Sequence, residues 1–235
     1  MHRLLHRLAV VLAMLALAAC AGIGANQRED DSFGIVTLNL YHDKADWPAR
    51  RLLVIDGLRA LQPDVIVLQE VLQDDGLRNQ AEDLAQVLGY SAYFISIDAP
   101  DRTRRYGNAI LTRHPVSARD WTPLRPLDDS RTAGMLRIGI GGRALDVFAT
   151  HLHHEDTPAG AGKRAEQLAD LMAFIDRTGD DAPRIVAGNF NIAAGRPELV
   201  TLDVAGFEEA FTRLHPRDPR PTLNPHYFPD DARRM

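Results

Sequence analysis

The chain has 235 residues, of which 45% are hydrophobic and 25% are charged. These proportions fit one globular domain with a sizeable core, and they argue against a disordered chain or a fibrous repeat. The formal net charge is −5 at pH 7. An acidic domain is poorly suited to non-specific binding of duplex DNA, because such binding depends on lysine and arginine neutralising phosphates.

The N-terminal segment differs in composition from the rest of the chain. Arg3 and Arg7 lie close to the N-terminus. An uncharged apolar run follows them, and it is too short to span a bilayer. The run ends in Leu-Ala-Ala-Cys, which resembles the lipobox of bacterial lipoproteins, with Cys20 as the lipidated residue. We therefore predict a signal peptide over residues 1–19, a lipidated tether over 20–31 and a folded domain over 32–235.

This interpretation predicts a protein of the cell envelope, anchored to a membrane through Cys20 and facing the periplasm or the exterior. The alternative is an ordinary cleaved signal peptide followed by an incidental thiol. Cys20 is the only cysteine in the chain. The domain must therefore be stable without an intramolecular disulfide.

The first half of the predicted domain alternates strands and helices. Apolar, β-branched runs indicate strands, whereas apolar residues at helical spacing with Pro63 beyond them indicate a helix. The predicted order is a strand over 33–42, a helix within 46–64, strands over 64–70 and 91–97 on either side of a helix over 79–89, a polar loop over 98–105 and a strand over 106–112.

The second half begins with a proline-rich connection through Pro123 and Pro126. Two strands then flank a Gly-Gly-Arg turn, which is typical of a hairpin. The predicted elements are strands over 135–140, 144–151 and 184–188, a long helix over 161–177 and short helices over 197–204 and 207–214. This mixture of hairpins and crossover helices predicts an α/β fold with sheets inside and helices outside.

Polar side chains follow several predicted strands at the point where each strand ends. Asn39, Glu70 and His151 each close an apolar run, and Asn189 and Asn191 follow a fourth run. Ligand sites in α/β sheets form at strand ends, where side chains from separate strands converge. Each residue taken alone also has a structural explanation, since asparagine favours turns. Their combination favours a site.

Five motifs carry a resemblance to a known family: TLNL, VIVLQE, RYGNAIL, FATHLHH and AGNFN, in this order along the chain. They resemble the endonuclease/exonuclease/phosphatase superfamily, which includes DNase I. The resemblance implies a four-layer α/β sandwich, in which two packed mixed sheets carry helices on both outer faces. It also implies hydrolysis of a phosphoester bond with a divalent cation, Mg²⁺ or Mn²⁺.

The resemblance also implies roles for individual residues. Glu70 matches the family's metal-binding glutamate, and Asn39 matches the asparagine beside that metal. The implied catalytic residues are Tyr106, His151, Asn189 and Asn191, with His151 acting as a cation that stabilises the transition state. The resemblance also implies that Asn108 binds the phosphate. From the residues themselves we predict two further substrate-binding positions: Arg105 for its positive charge, unless it belongs to a solvated loop, and His153 because it shares a strand face with His151.

Two departures from the family pattern affect the predicted function. Asn189 replaces the family's aspartate, which orients or deprotonates the attacking water. The chain also stops at DDARRM, before the family's last strand and its Ser-Asp-His motif, so we expect a truncated form. The hypotheses are a membrane-anchored, monomeric phosphodiesterase, impaired by these departures, and an inactive pseudoenzyme that binds phosphorylated ligands. A nucleotide, a nucleic acid or a phospholipid head group would suit either one.

Overall fold

The computed structural model describes residues 32–179, 181–217 and 222. The predicted signal peptide, tether and lipidated Cys20, and the C-terminal DDARRM segment, lie outside the described residues. The chain divides into two units, Met1–Phe33 and Gly34–Met235. The second unit contains every helix and strand described below.

The first sheet has four strands in the order β1-β2-β4-β3. β1 and β2 are parallel, whereas β4 runs antiparallel to both of its neighbours. Because β2 and β4 are antiparallel, the start of β4 lies beside the end of β2. The strands are β1 (Ile35–Asn39), β2 (Val65–Gln73), β3 (Ser91–Ile95) and β4 (Arg105–Thr112).

The second sheet has four strands in sequential order, and only its last pair is parallel. The start of β6 therefore lies beside the end of β7, as β4 does beside β2. The strands are β5 (Val116–Pro123), β6 (Thr132–Ile140), β7 (Arg143–His151) and β8 (Arg184–Asn189).

Strand β5 corrects a prediction, because its residues were expected to form a proline-rich connection. It is the edge strand of the second sheet, and its residues alternate between exposed and half-buried positions. Polar residues therefore replace the apolar run that identifies a buried strand. Pro123 closes the strand, where the ring interrupts least pairing.

Five α-helices accompany the sheets within the described residues. They are α1 (Trp47–Leu61), α2 (Gln80–Leu88), α3 (Pro158–Thr178), α4 (Val200–Val204) and α5 (Ala210–Leu214). The side chains of Asp46, Asn79 and Thr157 accept hydrogen bonds from the first turns of α1, α2 and α3, which fixes where these helices begin. Across the described ranges, no helix has the length and apolarity needed to cross a membrane.

The core has three layers. One lies between the two sheets, and the other two lie between each sheet and its helices. The two sheets pack face to face, with β1 against β8 and β4 against β6 and β7. One apolar cluster joins the first sheet to α1 and α2, and another joins the second sheet to α3, where Phe148 and Phe174 meet edge to face. The predicted four-layer α/β sandwich is confirmed.

Candidate active site

Glu70 lies at a β-bulge near the end of β2. The pairing of β2 with β4 shifts register between Leu68 and Val71, and Glu70 has a φ of 54°. Positive φ is uncommon outside glycine, and such strained residues cluster at functional sites. A bulge also re-aims a side chain out of the alternating pattern of the strand. The backbone of β2 is thus bent at the predicted metal ligand.

Asn39 holds the Glu70 carboxylate from the end of β1. Its Nδ2 donates to Glu70 Oε1 over 2.9 Å, while its Oδ1 accepts from the Tyr41 backbone N–H over 2.8 Å. Glu70 Oε2 is not used by this pair. Mg²⁺ is commonly held by one or two carboxylates with water and substrate phosphate, so the donors present fit such an ion. Within the described part of the chain, no cluster of three or more His, Cys, Asp and Glu side chains forms a metal site.

Tyr106 and Asn108 lie at the start of β4, beside the end of β2. Burial, and then the charge of Glu70, raise the pKa of the Tyr106 phenol, whereas Arg131 opposes the rise. Tyr106 is therefore a neutral hydrogen-bond donor. Asn108 is buried, and its Nδ2 donates to Thr132 Oγ1 over 3.0 Å and thereby links the two sheets.

Arg105 and Gly107 occupy positions set largely by β3. The Arg105 guanidinium lies over the Phe94 ring, 4.9 Å from its centroid. A Cβ atom at Gly107 would stand 2.0 Å from the Ile95 carbonyl oxygen, so a side chain there would separate the two strands. The structure thus places Arg105 against β3, beside the site rather than within its hydrogen bonds.

His151 ends β7 and lies directly opposite Asn189 in the register of the second sheet. The side chain is buried. Burial, followed by the charges of Arg131 and His154, lowers the pKa of His151 to about 3, although Asp129 opposes the change. The imidazole is therefore neutral at pH 7 in the free protein, and the predicted cation would form only as charge builds on a bound substrate.

Asn189 and Asn191 form a tight turn after β8. Asn189 Oδ1 accepts from the Asn191 backbone N–H over 3.0 Å, and Asn191 Nδ2 donates to the Leu152 carbonyl over 2.9 Å. Asn191 has a φ of 52°, which asparagine tolerates better than most residues. Both amides therefore brace the ends of β7 and β8, and they do so next to His151.

His153 lies two residues beyond His151 and is also buried. Its Nδ1 is 2.9 Å from each carboxylate oxygen of Asp129. Asp129 ends the 3₁₀ turn Leu127–Asp129, which precedes β6. The predicted substrate-binding histidine is thus fixed by an aspartate that sequence reasoning did not select.

Arg131 was also missed by the sequence analysis. It directly precedes β6, its side chain is only 12% exposed, and its Nε lies 3.6 Å from Asp129 Oδ2. Its charge acts on both Tyr106 and His151. The available signal was its place before an antiparallel strand, since the start of β6 meets the end of β7.

Charge effects on the pKa values of Tyr106 and His151 link the two sheets at one edge of the sandwich. Tyr106 of the first sheet responds to Glu70 and to Arg131, and His151 of the second sheet responds to Arg131. Carboxylate, phenol, guanidinium and imidazole therefore share one electrostatic neighbourhood. Such a set can bind an oxyanion together with a hard cation.

Comparisons with known proteins identify relatives that share the fold. The Escherichia coli K12 protein YbhP is 26% identical over 211 residues, which cover 83% of this chain and 81% of YbhP. The human Nocturnin catalytic domain with bound sulfate has a TM-score of 0.68 at 20% identity, with 83% of this chain and 78% of that one covered.

A second solved structure shares the fold at similar identity. D. rerio TDP2 in complex with a single-strand DNA product has a TM-score of 0.61 at 19% identity, covering 79% of this chain and 71% of that one. The model of the Endonuclease/Exonuclease/phosphatase family matches residues 36–234, which is most of the sequence. The chain therefore belongs to the endonuclease/exonuclease/phosphatase family.

Proposed function

We propose that this protein hydrolyses phosphodiester bonds with the help of Mg²⁺ or Mn²⁺. The observation that carries the proposal is the convergence of Glu70, Tyr106, Arg131 and His151 from two sheets. Members of the family are phosphodiesterases and phosphatases, which supports a phosphoester hydrolase in general. The finer assignment rests on the chemistry of the side chains.

The proposed phosphate site is formed by groups that donate hydrogen bonds or carry positive charge. Arg131 supplies the charge, and the neutral phenol of Tyr106 supplies a donor. Glu70, oriented by Asn39, would hold the metal ion through its carboxylate. A bound divalent ion neutralises phosphate charge and polarises the phosphoryl oxygen.

His151 acts in this proposal as a neutral donor toward the phosphate. A buried imidazole beside Arg131 favours the uncharged form, whereas a bound phosphate favours the charged form. Substrate binding would therefore shift His151 toward protonation as negative charge builds on the phosphoryl oxygens. The preorganised donor is worth most in this buried position, where water does not compete.

The solved relatives support an oxyanion ligand of this kind. Sulfate is bound to the Nocturnin domain, and a single-strand DNA product is bound to TDP2. We carry over only the shared chemistry, which is a tetrahedral anion or phosphodiester. Nucleotides, single-strand nucleic acid and phospholipid head groups all offer that group to a monomeric domain.

A membrane location is a separate part of the proposal. The motif ending at Cys20 favours an envelope lipoprotein. Expression of the full chain and of Cys20→Ala in a bacterial host, followed by membrane fractionation and mass spectrometry, tests it. Acylation at Cys20 and release of Cys20→Ala from the membrane would support the anchor, and an unmodified soluble chain would contradict it.

The pseudoenzyme is the second candidate, and Asn189 is the observation that favours it. Its amide keeps the hydrogen bond to Asn191 but lacks the charge and basicity of a carboxylate. A positioned base contributes about 10²–10⁴ in rate, so its loss alone would leave a binding protein with very little turnover.

One experiment separates the two candidates. The purified protein is incubated with bis(p-nitrophenyl) phosphate and with dinucleotide, phospholipid and phosphomonoester substrates, in Mg²⁺, in Mn²⁺ and in EDTA. Metal-dependent turnover of a phosphodiester supports the hydrolase. Binding of a phosphorothioate analogue without turnover supports the pseudoenzyme, and the absence of both would reject the phosphate site.

A further inference from the structure

The nitrogen Nε2 of His153 is buried and has no hydrogen-bond partner among the described residues. The other ring nitrogen, Nδ1, lies 2.9 Å from both oxygens of Asp129. A carboxylate accepts hydrogen bonds, and Asp129 lies closer to Nδ1 (2.9 Å) than Glu155 Oε2 lies to Nε2 (3.4 Å), so Nδ1 carries the proton in the neutral ring and Nε2 carries the lone pair. An unsatisfied buried acceptor destabilises the folded state, which marks this nitrogen as a candidate for function.

Helix α3 fixes the ring and its aspartate in place. Gln167 Nε2 donates to Asp129 Oδ2 over 2.8 Å, and Gln167 Oε1 accepts from the His153 backbone N–H over 2.7 Å. Arg164, which is almost fully buried, donates to the backbone carbonyls of His153 and Glu155. The pair is therefore preorganised by side chains that are themselves held by packing.

The pair also borders the proposed phosphate site. His153 follows His151 by two residues at the end of β7, and the Asp129 charge reaches His151. Asp129 also lies between His153 and Arg131, which acts on Tyr106. Buried groups that contact one another in this way belong to one polar network.

We propose that His153 is the general base of the reaction and that Asp129 is its positioning residue. The inference rests on the proposed phosphodiesterase activity. It assigns to this pair the proton transfer that the amide of Asn189 is unable to perform. An aspartate that holds a histidine in one tautomer and stabilises its cation is an established way to prepare such a base.

The chemical step balances within this site. A water molecule transfers a proton to His153 Nε2 as its oxygen lone pair forms a bond to phosphorus. The bond from phosphorus to the leaving oxygen breaks, and its electron pair stays on that oxygen. His153 is then an imidazolium between the Asp129 and Glu155 carboxylates, and it returns the proton to solvent or to the leaving oxygen.

Charged groups face His153 from each neighbouring element. Asp129 and Arg131 lie before β6, Arg164 lies on α3, and His154 and Glu155 follow in the chain. Glu155 Oε2 is 3.4 Å from His153 Nε2, and its side chain is 53% exposed. In the proposal, rotation of Glu155 admits the water, and its carboxylate then stabilises the imidazolium.

The test compares wild type with His153→Gln, Asp129→Asn and the control His114→Gln in Mg²⁺-dependent hydrolysis of bis(p-nitrophenyl) phosphate between pH 5 and 9. We expect His153→Gln to lower kcat about 10²–10⁴-fold and to remove the acid limb of the pH profile. Asp129→Asn should lower kcat less and move that limb to lower pH, because a lost carboxylate destabilises the imidazolium. His114→Gln should match wild type.

A second measurement does not depend on turnover. Long-range ¹H–¹⁵N spectra of the histidine rings report which nitrogen carries the proton, and the proposal requires Nδ1–H with an unprotonated Nε2 on His153 at pH 8. A protonated Nε2 there overturns the inference even if the His153→Gln protein fails to fold.

The outcomes distinguish the assignment of His153 as the base from the proposed phosphodiesterase function. An active wild type whose His153→Gln variant folds and keeps kcat and its acid limb overturns the base assignment and leaves the proposed function standing. A folded wild type that is inert with every metal and phosphodiester overturns the proposed function, and the base assignment with it.

Discussion

Two histidine–aspartate pairs lie at opposite ends of the strands, and they differ in the surroundings of the histidine ring. His114 Nε2 is 3.0 Å from Asp64 Oδ1, before the start of β2. His153 Nδ1 is 2.9 Å from Asp129, beyond the end of β7. The partners and distances are nearly the same. The pairs therefore show that an aspartate beside a histidine does not by itself make a site.

The surroundings of the two rings make the difference. Asp64 also accepts from the Gly34 N–H over 2.7 Å, and the His114 side chain is 22% exposed, so water reaches that ring. The His153 side chain is only 3% exposed, and its second nitrogen has no hydrogen bond within the described structure. The first pair ties the start of β2 to the turn after β4, whereas the second leaves Nε2 of a buried ring without a hydrogen bond among the described residues, 3.4 Å from Glu155 Oε2.

The largest expected effect comes from the site end of β2. Glu70→Gln keeps the shape of the side chain but removes the charge that would hold a divalent ion. A metal contributes several kcal/mol to transition-state stabilisation, so we expect kcat/KM to fall roughly 10³-fold at fixed Mg²⁺. Steady-state hydrolysis and a Mg²⁺ titration measure this. A variant with wild-type kcat/KM would remove Glu70 from the mechanism.

A substitution at the opposite end of β2 should lower the free energy of unfolding rather than the activity. Asp64→Ala leaves the Gly34 N–H and His114 without their partner, and we expect a loss of about 2 kcal/mol in the free energy of unfolding. For a domain of this size that is a fall of about 4–8 °C in Tm. Thermal and urea unfolding test it, with kcat as the control. A fall in kcat with unchanged stability would reverse the roles of the two pairs.

Part of the candidate site and most of the fold were predictable from the sequence. Glu70, His151 and Asn189 each follow an apolar run that is visible in the sequence, so the tendency of ligand sites to form at strand ends places them at one edge. The motifs then give the fold class. The same reasoning does not recover β5, because an exposed edge strand lacks the buried apolar pattern.

Arg131 and Asp129 show why the rest of the site was missed. They precede a strand rather than follow one, and they reach the site only because β6 runs antiparallel to β7. Their partners, His151 and His153, lie on the far side of the β6–β7 hairpin in the sequence. The sequence alone does not state that pairing. The strained φ of Glu70 is likewise a product of the bulge against β4.

The buried histidine of the site should make stability depend on pH. The pKa of His151 is about 3 in the folded chain, against about 6.5 when unfolded. Below pH 6.5 the unfolded state binds the proton that the folded state excludes, so stability falls as pH falls from 6.5 toward 3. Between pH 7 and 5 we expect this group to cost about 2 kcal/mol.

Urea unfolding of wild type and His151→Gln at pH 7 and pH 5 isolates that contribution. The variant should lose less stability than wild type over the same interval. Equal losses in wild type and His151→Gln would show that His151 is not held neutral by burial.

The smallest expected effect comes from Asn189→Asp. It tests whether His153 serves as the general base or whether the reaction lacks a base because position 189 is an amide. Asn189→Asp keeps the acceptor for the Asn191 N–H and adds a carboxylate beside His151. If His153 already takes the proton, the added carboxylate supplies no new step, and kcat should rise less than about tenfold, well short of the usual contribution of a base. A rise of about 10²-fold or more would mean that His153 is idle and that the amide at position 189 limits the reaction. The double variant His153→Gln/Asn189→Asp tests this further. If its rate is restored relative to His153→Gln, then either His153 or a carboxylate at position 189 is able to accept the proton from water.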